Sequence, residues 1–512
     1  MKRSYFVPLW FFLMCGLILG LGFQPSMAAE KSKYGGILKY NHTKTAGIVG
    51  NPLKIRGWNH EYIDNVLETL IIPSNKKMGE FEPQLATGWE LAPDKSCYIF
   101  KLRKGVEFHD GTDFNAQAVK WNLDMWVKSK RPRLDKVKSI EVLDDYTVRV
   151  NLSGWDAVTL SDFSKDTYIV SPTAWKKHGE KWVDYHPVGT GPFKLVEFRR
   201  NVHLKYKRFE GYWKKGLPYL DGLFVTQIPD PMTAMAALKR GEIDAWTGVD
   251  PISGSELKKT GKWTIYTNPA IHRVIQFNST DPKSIWSDKR MREALEYAID
   301  KERIAKVMGR GFFFPIYEIV HSIPPGAGTV PRKYNPEKAR QLIREAGREG
   351  IRVKMHYFAG FDQDAFTAIQ ANLKEVGITL EAAPVTGAAY HKRLFEPAPV
   401  NDLILGNQRG SRSELLVSVD ETLAPGSVFF QGVKRPKGFV EILNRALQQE
   451  DRNKILEGLY ELERLAYGEA MFVPLVGTTF ITVNAPYVKD TIWFWGSMPY
   501  PHLERAWLDK KK

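Results

Sequence analysis

Downstream of residue 29 the chain has one cysteine, Cys97, so no intrachain disulfide and no paired-thiol metal or redox site can form there. The fold has to be held by apolar packing alone. A chain of 512 residues with 43% hydrophobic and 12% aromatic content has the material for several cores, and such a length corresponds to about two to four domains. Cys97 itself lies in Cys97-Tyr98-Ile99-Phe100, an apolar strand context in which a thiol packs as a small hydrophobe rather than acting as a nucleophile.

Lys2 and Arg3 precede the apolar run Leu9 to Phe23, and Pro25-Ser26-Met27-Ala28-Ala29 offers small residues where a signal peptidase cuts. The pattern predicts a cleaved secretory signal over 1–29, with the cut after Ala28 or Ala29 and the mature chain in the periplasm. An uncleaved anchor is the rival reading, but it needs about twenty apolar residues. Cys15 sits behind Phe12-Leu13-Met14, which lacks the small residues that lipidation of a cysteine requires.

The basic balance, Lys+Arg 73 against Asp+Glu 58, falls to 71 against 58 once Lys2 and Arg3 are removed, a net +13. Such a surface favours anionic solutes, lipid headgroups or nucleic acid. The densest basic stretch, Phe198 to Arg208, mixes cations with aromatics. Its period decides against nucleic acid: Val196, Phe198, Val202, Leu204 and Tyr206 share one parity, while Glu197, Arg199, His203, Lys205 and Lys207 share the other. This predicts a half-buried strand pair turning near Asn201.

Mixed α/β organisation follows from the remaining patterns. Tyr34 to Tyr40 reads as a short strand, Glu61 to Ile71 as a helix, and Tyr98 to Arg103 as a strand. Asn115 caps a helix carrying Val119, Leu123 and Trp126 on one face. Ser284 to Val307 repeats that pattern with Met291, Ala294, Leu295, Ala298 and Ile299. Pro336 to Ile343 opens a further helix capped by Asn335 and closed by Gly347. Helices laid on sheets are expected.

Catalytic signatures are missing. Gly189-Thr190-Gly191 resembles a phosphate-cradling loop, but a dinucleotide fingerprint needs glycine at 194, where Lys194 stands, and a helix where a strand is predicted. Ser253-Gly254-Ser255-Glu256 is read as a loop leading into a helix, not as a nucleophile elbow. Neither HExxH nor HxH occurs among the eleven histidines, so no metal is expected. His109-Asp110 in a glycine-bounded turn is read as structural. No cofactor and no enzyme activity are expected.

Pro83-Gln84-Leu85-Ala86-Thr87-Gly88-Trp89-Glu90, Phe100 to Gly111 and Val188-Gly189-Thr190-Gly191-Pro192-Phe193 resemble successive signatures of family 5 solute-binding proteins of ABC importers, the oligopeptide, dipeptide and nickel-binding group. Gly241-Glu242-Ile243-Asp244, Phe277-Asn278, Arg292 to Asp300 and Tyr334 to Ala339 follow in the same order. The resemblance covers nearly the whole chain after the signal. It implies an α/β fold of the periplasmic-binding-protein type (type II, cluster C): two main lobes plus an extra smaller domain around a ligand cleft. Lobe I would comprise 30–74, 189–275 and the return 481–512; lobe II, the extra domain, 75–188; lobe III, 276–480. The Gly-Thr-Gly-Pro segment would be a crossing between lobes, its glycines supplying backbone angles closed to other residues. The implied function is capture of a peptide or other small solute by lobe closure and delivery to a membrane permease, by a monomer with no nucleic-acid partner. An exported hydrolase, or a ligand sensor on the same fold, is the alternative.

Peptide binders of this group carry a Gly-Gly-Trp-Gly-x-Asp stretch whose acid holds the peptide ammonium. Here Gln408 stands about where the Trp would be and Ser411 where the Asp would be, flanked by Arg409 and Arg412. Two guanidiniums suit an anionic group, although Glu414 remains available for an ammonium. Asn41, His42 and Thr43 follow the first strand, as cleft residues or as an ordinary polar turn. Trp246 is placed to stack on a ligand or to be buried. Asn278 is expected to fix backbone near a lobe junction, and Trp493 and Trp495 to pack as strand residues near the C-terminus.

Overall fold

The computed structural model describes residues 33–44, 46–55, 59–74, 79–129, 134–164, 167–321, 323, 326–408, 416–494 and 501–510. Among them, one eleven-stranded sheet carries most of the fold. Its strands are β1 (Ile37–His42), then, beyond a separate sheet, β6 (Phe193–Arg199), β7 (His203–Arg208), β8 (Gly222–Thr226), β9 (Ala245–Thr247), β10 (Thr264–Phe277), β11 (Arg352–Phe358), β12 (Thr379–Val385), β13 (Leu403–Gln408) and β14 (Val473–Asn484). The order across the sheet is β12-β11-β13-β10-β14-β9-β1-β8-β7-β6, with Phe314–Pro315 pairing β14 off this path. The separate four-stranded sheet holds β2 (Ala86–Leu91), β3 (Cys97–Leu102), β4 (Val137–Asp144) and β5 (Thr147–Leu152), in the order β2-β3-β5-β4. Among the described residues no helix is long and apolar enough to cross a membrane.

Several elements form for the reasons their sequences suggest. Asn115 accepts a hydrogen bond from the Ala118 N–H and starts a helix over Ala116–Lys128, whose Val119, Leu123 and Trp126 pack on the four-stranded sheet together with Phe100, Val148 and Val150. Asn335 caps Pro336–Glu345 in the same way, and Gly347 closes it at φ 62°. Cys97 is buried in β3.

Other expectations are corrected. The helix expected over Glu61 to Ile71 is a single turn, His60–Ile63, because the backbone beyond it bonds elsewhere: the Asn65 and Val66 carbonyls accept from Phe193 and Gly191, and the Glu68 carbonyl accepts from Ile169. Ser284 to Val307 breaks into helices at Lys289–Ala298 and Lys301–Gly309, because the Asp300 side chain caps the second of them at Arg303. Ser253 to Glu256 lie within a helix, Pro251–Lys259, capped by Asp250. In the β6–β7 hairpin, which turns at Asn201 (φ 61°), a register shift between Leu195 and Glu197 breaks the expected alternation. Val196, at the shift, is therefore exposed, and Val202 is exposed because it lies in the turn, while Leu204 and Tyr206 are buried.

Candidate functional site

Strand directions define the site. β1 pairs in parallel with both β8 and β9, so Thr226, Asn41-His42 and Thr247 end together on one edge. β11 pairs in parallel with both β12 and β13, so Phe358, Val385 and Gln408 end on another. The long antiparallel ribbon β10–β14 joins the two sets. β9 and β10 are both antiparallel to β14 and so run in the same sense, whereas β13 is antiparallel to β10. The carboxyl ends of the two sets therefore point toward each other along the ribbon. Thr247 lies level with Thr482 and Tyr266, and Gln408 lies level with His272; six residue steps separate those levels, roughly 20 Å at strand rise. Carboxyl ends of parallel strands are where α/β folds hold ligands.

The ribbon changes register inside this gap. Pro269 faces Thr479 and His272 faces Gly477, so β10 has one residue more than β14 between those pairs. The Thr478 hydroxyl donates to the Ile271 carbonyl at 2.8 Å there. His321 stacks on His272 with ring centroids 3.7 Å apart, and its Nε2 lies 3.3 Å from the Ala270 carbonyl. The backbone before His321 is held by Glu463, whose carboxylate accepts from the Ile319 and Val320 N–H groups at 3.0 and 2.7 Å. Burial pushes this carboxyl up to about 7 in spite of those two donors.

The expected site residues distribute along these edges. Asn41 is buried, and its amide both donates to and accepts from the Ile228 backbone, at 3.1 and 2.8 Å. His42 is buried; its Nδ1 accepts from the Lys44 N–H at 3.0 Å, so its Nε2 donates to Glu61. Thr43 donates to the Gly248 carbonyl at 3.0 Å and accepts from the Trp246 indole N–H at 2.9 Å. Trp246 is fully buried among Leu238, Ile243, Leu257 and Val483, so in this arrangement its ring packs on the core and not on a ligand. Asn278 donates to the Ala398 carbonyl and accepts from Thr280 and the Asp281 N–H, holding its own turn. Gln408 is fully buried and donates to the Ile319 carbonyl at 2.8 Å, while its Oε1 has no partner among the described residues. Arg409 and Arg412, like Ser411, Glu414 and Trp495, lie outside the described residues. Trp493 is buried against Tyr40 and donates to Asn484.

Gln227, at the end of β8, escapes sequence reasoning. It is buried, and its amide has the Tyr62 hydroxyl as a side-chain neighbour but makes no hydrogen bond of good geometry among the described residues. The signal was a lone carboxamide behind Val225-Thr226, which polar strand ends share too widely to stand out. No cluster of groups able to hold a metal ion occurs among the described residues.

A second crossing joins the four-stranded sheet to the rest, and here Gly-Thr-Gly-Pro receives its explanation. The Val188 carbonyl accepts from Ser171, Gly189 from His109, and the Gly191 and Phe193 N–H groups donate to Val66 and Asn65. Gly189 and Gly191 are not among the glycines with positive φ, which corrects the expectation of special backbone angles. The reason for glycine is space: a Cβ at 189 would lie 2.3 Å from the Val66 carbonyl oxygen, and one at 191 would lie 2.8 Å from that of Asn65. Between them the Thr190 hydroxyl donates to Glu68 at 2.7 Å, and Glu68 also accepts from Tyr212 at 3.1 Å and Trp213 at 2.9 Å. Burial raises the Glu68 carboxyl above its ordinary range, against the pull of nearby Lys214 and of these donors. The His109 Nε2 meets the Gly191 carbonyl at 2.8 Å, and burial lowers that imidazole to about 4.

Comparison with known proteins agrees with this architecture. Residues 80–399 match the family described as bacterial extracellular solute-binding proteins, family 5. A glutathione-binding protein GsiB of Pectobacterium atrosepticum is 34% identical over 271 residues, 51% of this chain and 52% of the relative. The GsiB of Salmonella typhimurium is 35% identical over the same extent. The match thus spans about half the length of these curated relatives. Among solved structures, DppA of Helicobacter pylori in complex with the peptide STSA superposes with a TM-score of 0.77 at 23% identity, covering 94% of this chain and 99% of that one. NikA of Brucella suis in complex with Fe(III)-EDTA gives 0.79 at 24% identity, covering 90% and 97%. At such identities these two structures establish the periplasmic-binding-protein fold alone.

Proposed function

The chain belongs to the family 5 extracellular solute-binding proteins, and from that premise we propose that it captures a small solute in the gap between the facing strand ends and presents it unaltered to an ABC permease. One observation carries the reading: two parallel strand sets end face to face across a two-stranded ribbon whose register breaks midway. A solute contacting both edges stabilises the closed arrangement, and a bend in the ribbon releases it.

In this reading the chain works as an exported monomer in the periplasm, behind a signal over 1–29, with the lobes bounded as the sequence suggests. Thr43, Gln227 and Gln408 lie at the edges of the gap, and Arg409 follows Gln408 directly in the chain, with Arg412 three residues further on. A peptide, or a glutathione-like solute bearing carboxylates, suits these carboxamides and guanidiniums; glutathione and a peptide are what relatives with this fold are described as binding. Nothing in the geometry calls for covalent chemistry.

The test is a thermal-shift screen of short peptides, reduced glutathione and small carboxylates, followed by calorimetry. A solute selective for the folded chain raises its melting temperature with one-to-one stoichiometry. Recovery of the solute chemically changed would contradict the proposal.

A further inference from the structure

The segment 154–158, leaving the four-stranded sheet after β5, touches a part of the molecule nearly three hundred residues away. We propose that it is a latch, which holds the closed arrangement by docking on the end of the helix Phe439–Leu447 without touching the solute.

The end of that helix exposes carbonyls that have no partner within it and carries the negative pole of the helix dipole. The strap supplies what this end lacks. The Ala157 N–H donates to the Leu447 carbonyl at 2.7 Å. Lys95, at the tip of the β2–β3 hairpin, brings its ammonium 3.5 Å from the Gln448 carbonyl and 2.8 Å from the Glu450 carboxylate, and lies 4.0 Å over the Trp155 ring. In return the Gln448 side chain donates to the Trp155 carbonyl at 3.3 Å. Ala157 and Val158 pack against the cluster that includes Leu443 and Leu447.

The strap is organised before it docks. One oxygen of buried Asp156 accepts from the Thr159 hydroxyl at 2.7 Å and from the Val158 N–H at 3.2 Å, while the other pairs with Lys136. The charge on Lys136 also reaches across to Asp420, stabilising its carboxylate against burial. None of these hydrogen bonds or ion pairs involves a residue at the facing strand ends, although the cluster that Ala157 and Val158 join also holds Ile319 and Val320. These contacts join the four-stranded sheet, held by the Gly189–Gly191 crossing, to a helix on the far side of the ribbon, so a bend that opens the gap must break them. Their strength therefore biases the open–closed balance equally for every solute.

Closure is what the proposed function requires, but the test needs no solute, so its failure and that of the binding reading are distinguishable. Native-state hydrogen exchange is followed at the Ala157 amide in the unliganded full chain, with Val148 and Val150 in the sheet as internal references. Lys95→Glu places a like charge against Glu450 and the helix end. It is expected to speed Ala157 exchange about tenfold by shifting the population toward the open form and to enlarge the scattering radius, with the references unchanged. Adding Glu450→Lys is expected to restore much of the protection. Ala157 exchange that is already fast in the parent, equal rates in parent and Lys95→Glu, or no recovery in the charge swap would each overturn the proposal.

Discussion

The molecule crosses between its parts twice, and the two crossings are built in opposite ways. At residues 65–70 against 188–193, backbone lies on backbone so closely that no Cβ fits at Gly189, and a buried carboxylate, Glu68, gathers three side-chain donors across the seam. At the β10–β14 ribbon, two strands run between the two parallel strand sets of one sheet with an extra residue on one of them, and the Thr478 side chain bonds the backbone where the register breaks. Dense packing leaves the first crossing one conformation; the ribbon can bend at its bulge while its paired ends stay intact. Under the proposed closure the difference teaches where motion would reside: the four-stranded sheet and the β1–β9 region would move as one body, and the β11–β13 region against them.

The comparison can be broken most sharply at two glycines. Gly189→Ala drives a Cβ into the Val66 carbonyl and should cost on the order of 3 kcal/mol. Gly477→Ala, on the ribbon, meets the outer carbons of the Phe314 ring at 2.3 Å. That ring can swing away, so the cost should be about 1 kcal/mol. Denaturant midpoints decide, and equal costs would erase the distinction.

The crossings should also differ in their response to pH. Glu463, beside the ribbon, has its carboxyl raised to about 7, so the folded chain holds a proton that the unfolded chain releases. Its contribution is present below the ordinary Glu range and is lost as pH rises toward 7, by up to about 3 kcal/mol. Glu463→Gln should flatten that slope. His109 at the rigid crossing is lowered to about 4, so its contribution runs the other way: present above about 6.5, the ordinary His value, and lost as pH falls toward 4. His109→Gln should remove this opposite slope, which is of similar size, read from unfolding midpoints at stepped pH. The smallest expected effect is that of Thr478→Val, which deletes the donor to Ile271 and should cost about 0.5 kcal/mol while speeding exchange of the ribbon amides around Ile271 more than those around Gly191.

The sequence displayed more of the scaffold than of the site. Asn115 and Asn335 announce their helices because a side chain caps its own backbone within three residues, and such local bonds need no tertiary context. Family resemblance marked the Gly-Thr-Gly-Pro segment as a crossing, but its physical reason was not legible: close approach to Val66 depends on a partner more than one hundred residues away. The same distance hid the fate of Glu61 to Ile71, whose helical period was overridden by bonds to Gly191 and Phe193. Trp246 offered two readings, and only burial among Ile243, Leu257 and Val483 separates them. Gln227 acquires meaning from the strand end it occupies, which a single sequence does not display.

Paired spin labels test the central claim most directly. In a Cys97→Ser background, Val202→Cys (55% exposed) is paired with Leu143→Cys (44%) on the four-stranded sheet or with Val428→Cys (54%) beyond the ribbon. On addition of a solute that raises the melting temperature, the 202–428 distance distribution should shorten and narrow while the 202–143 distribution stays fixed. A change in the 202–143 distance, or none in the 202–428 distance, would contradict the account.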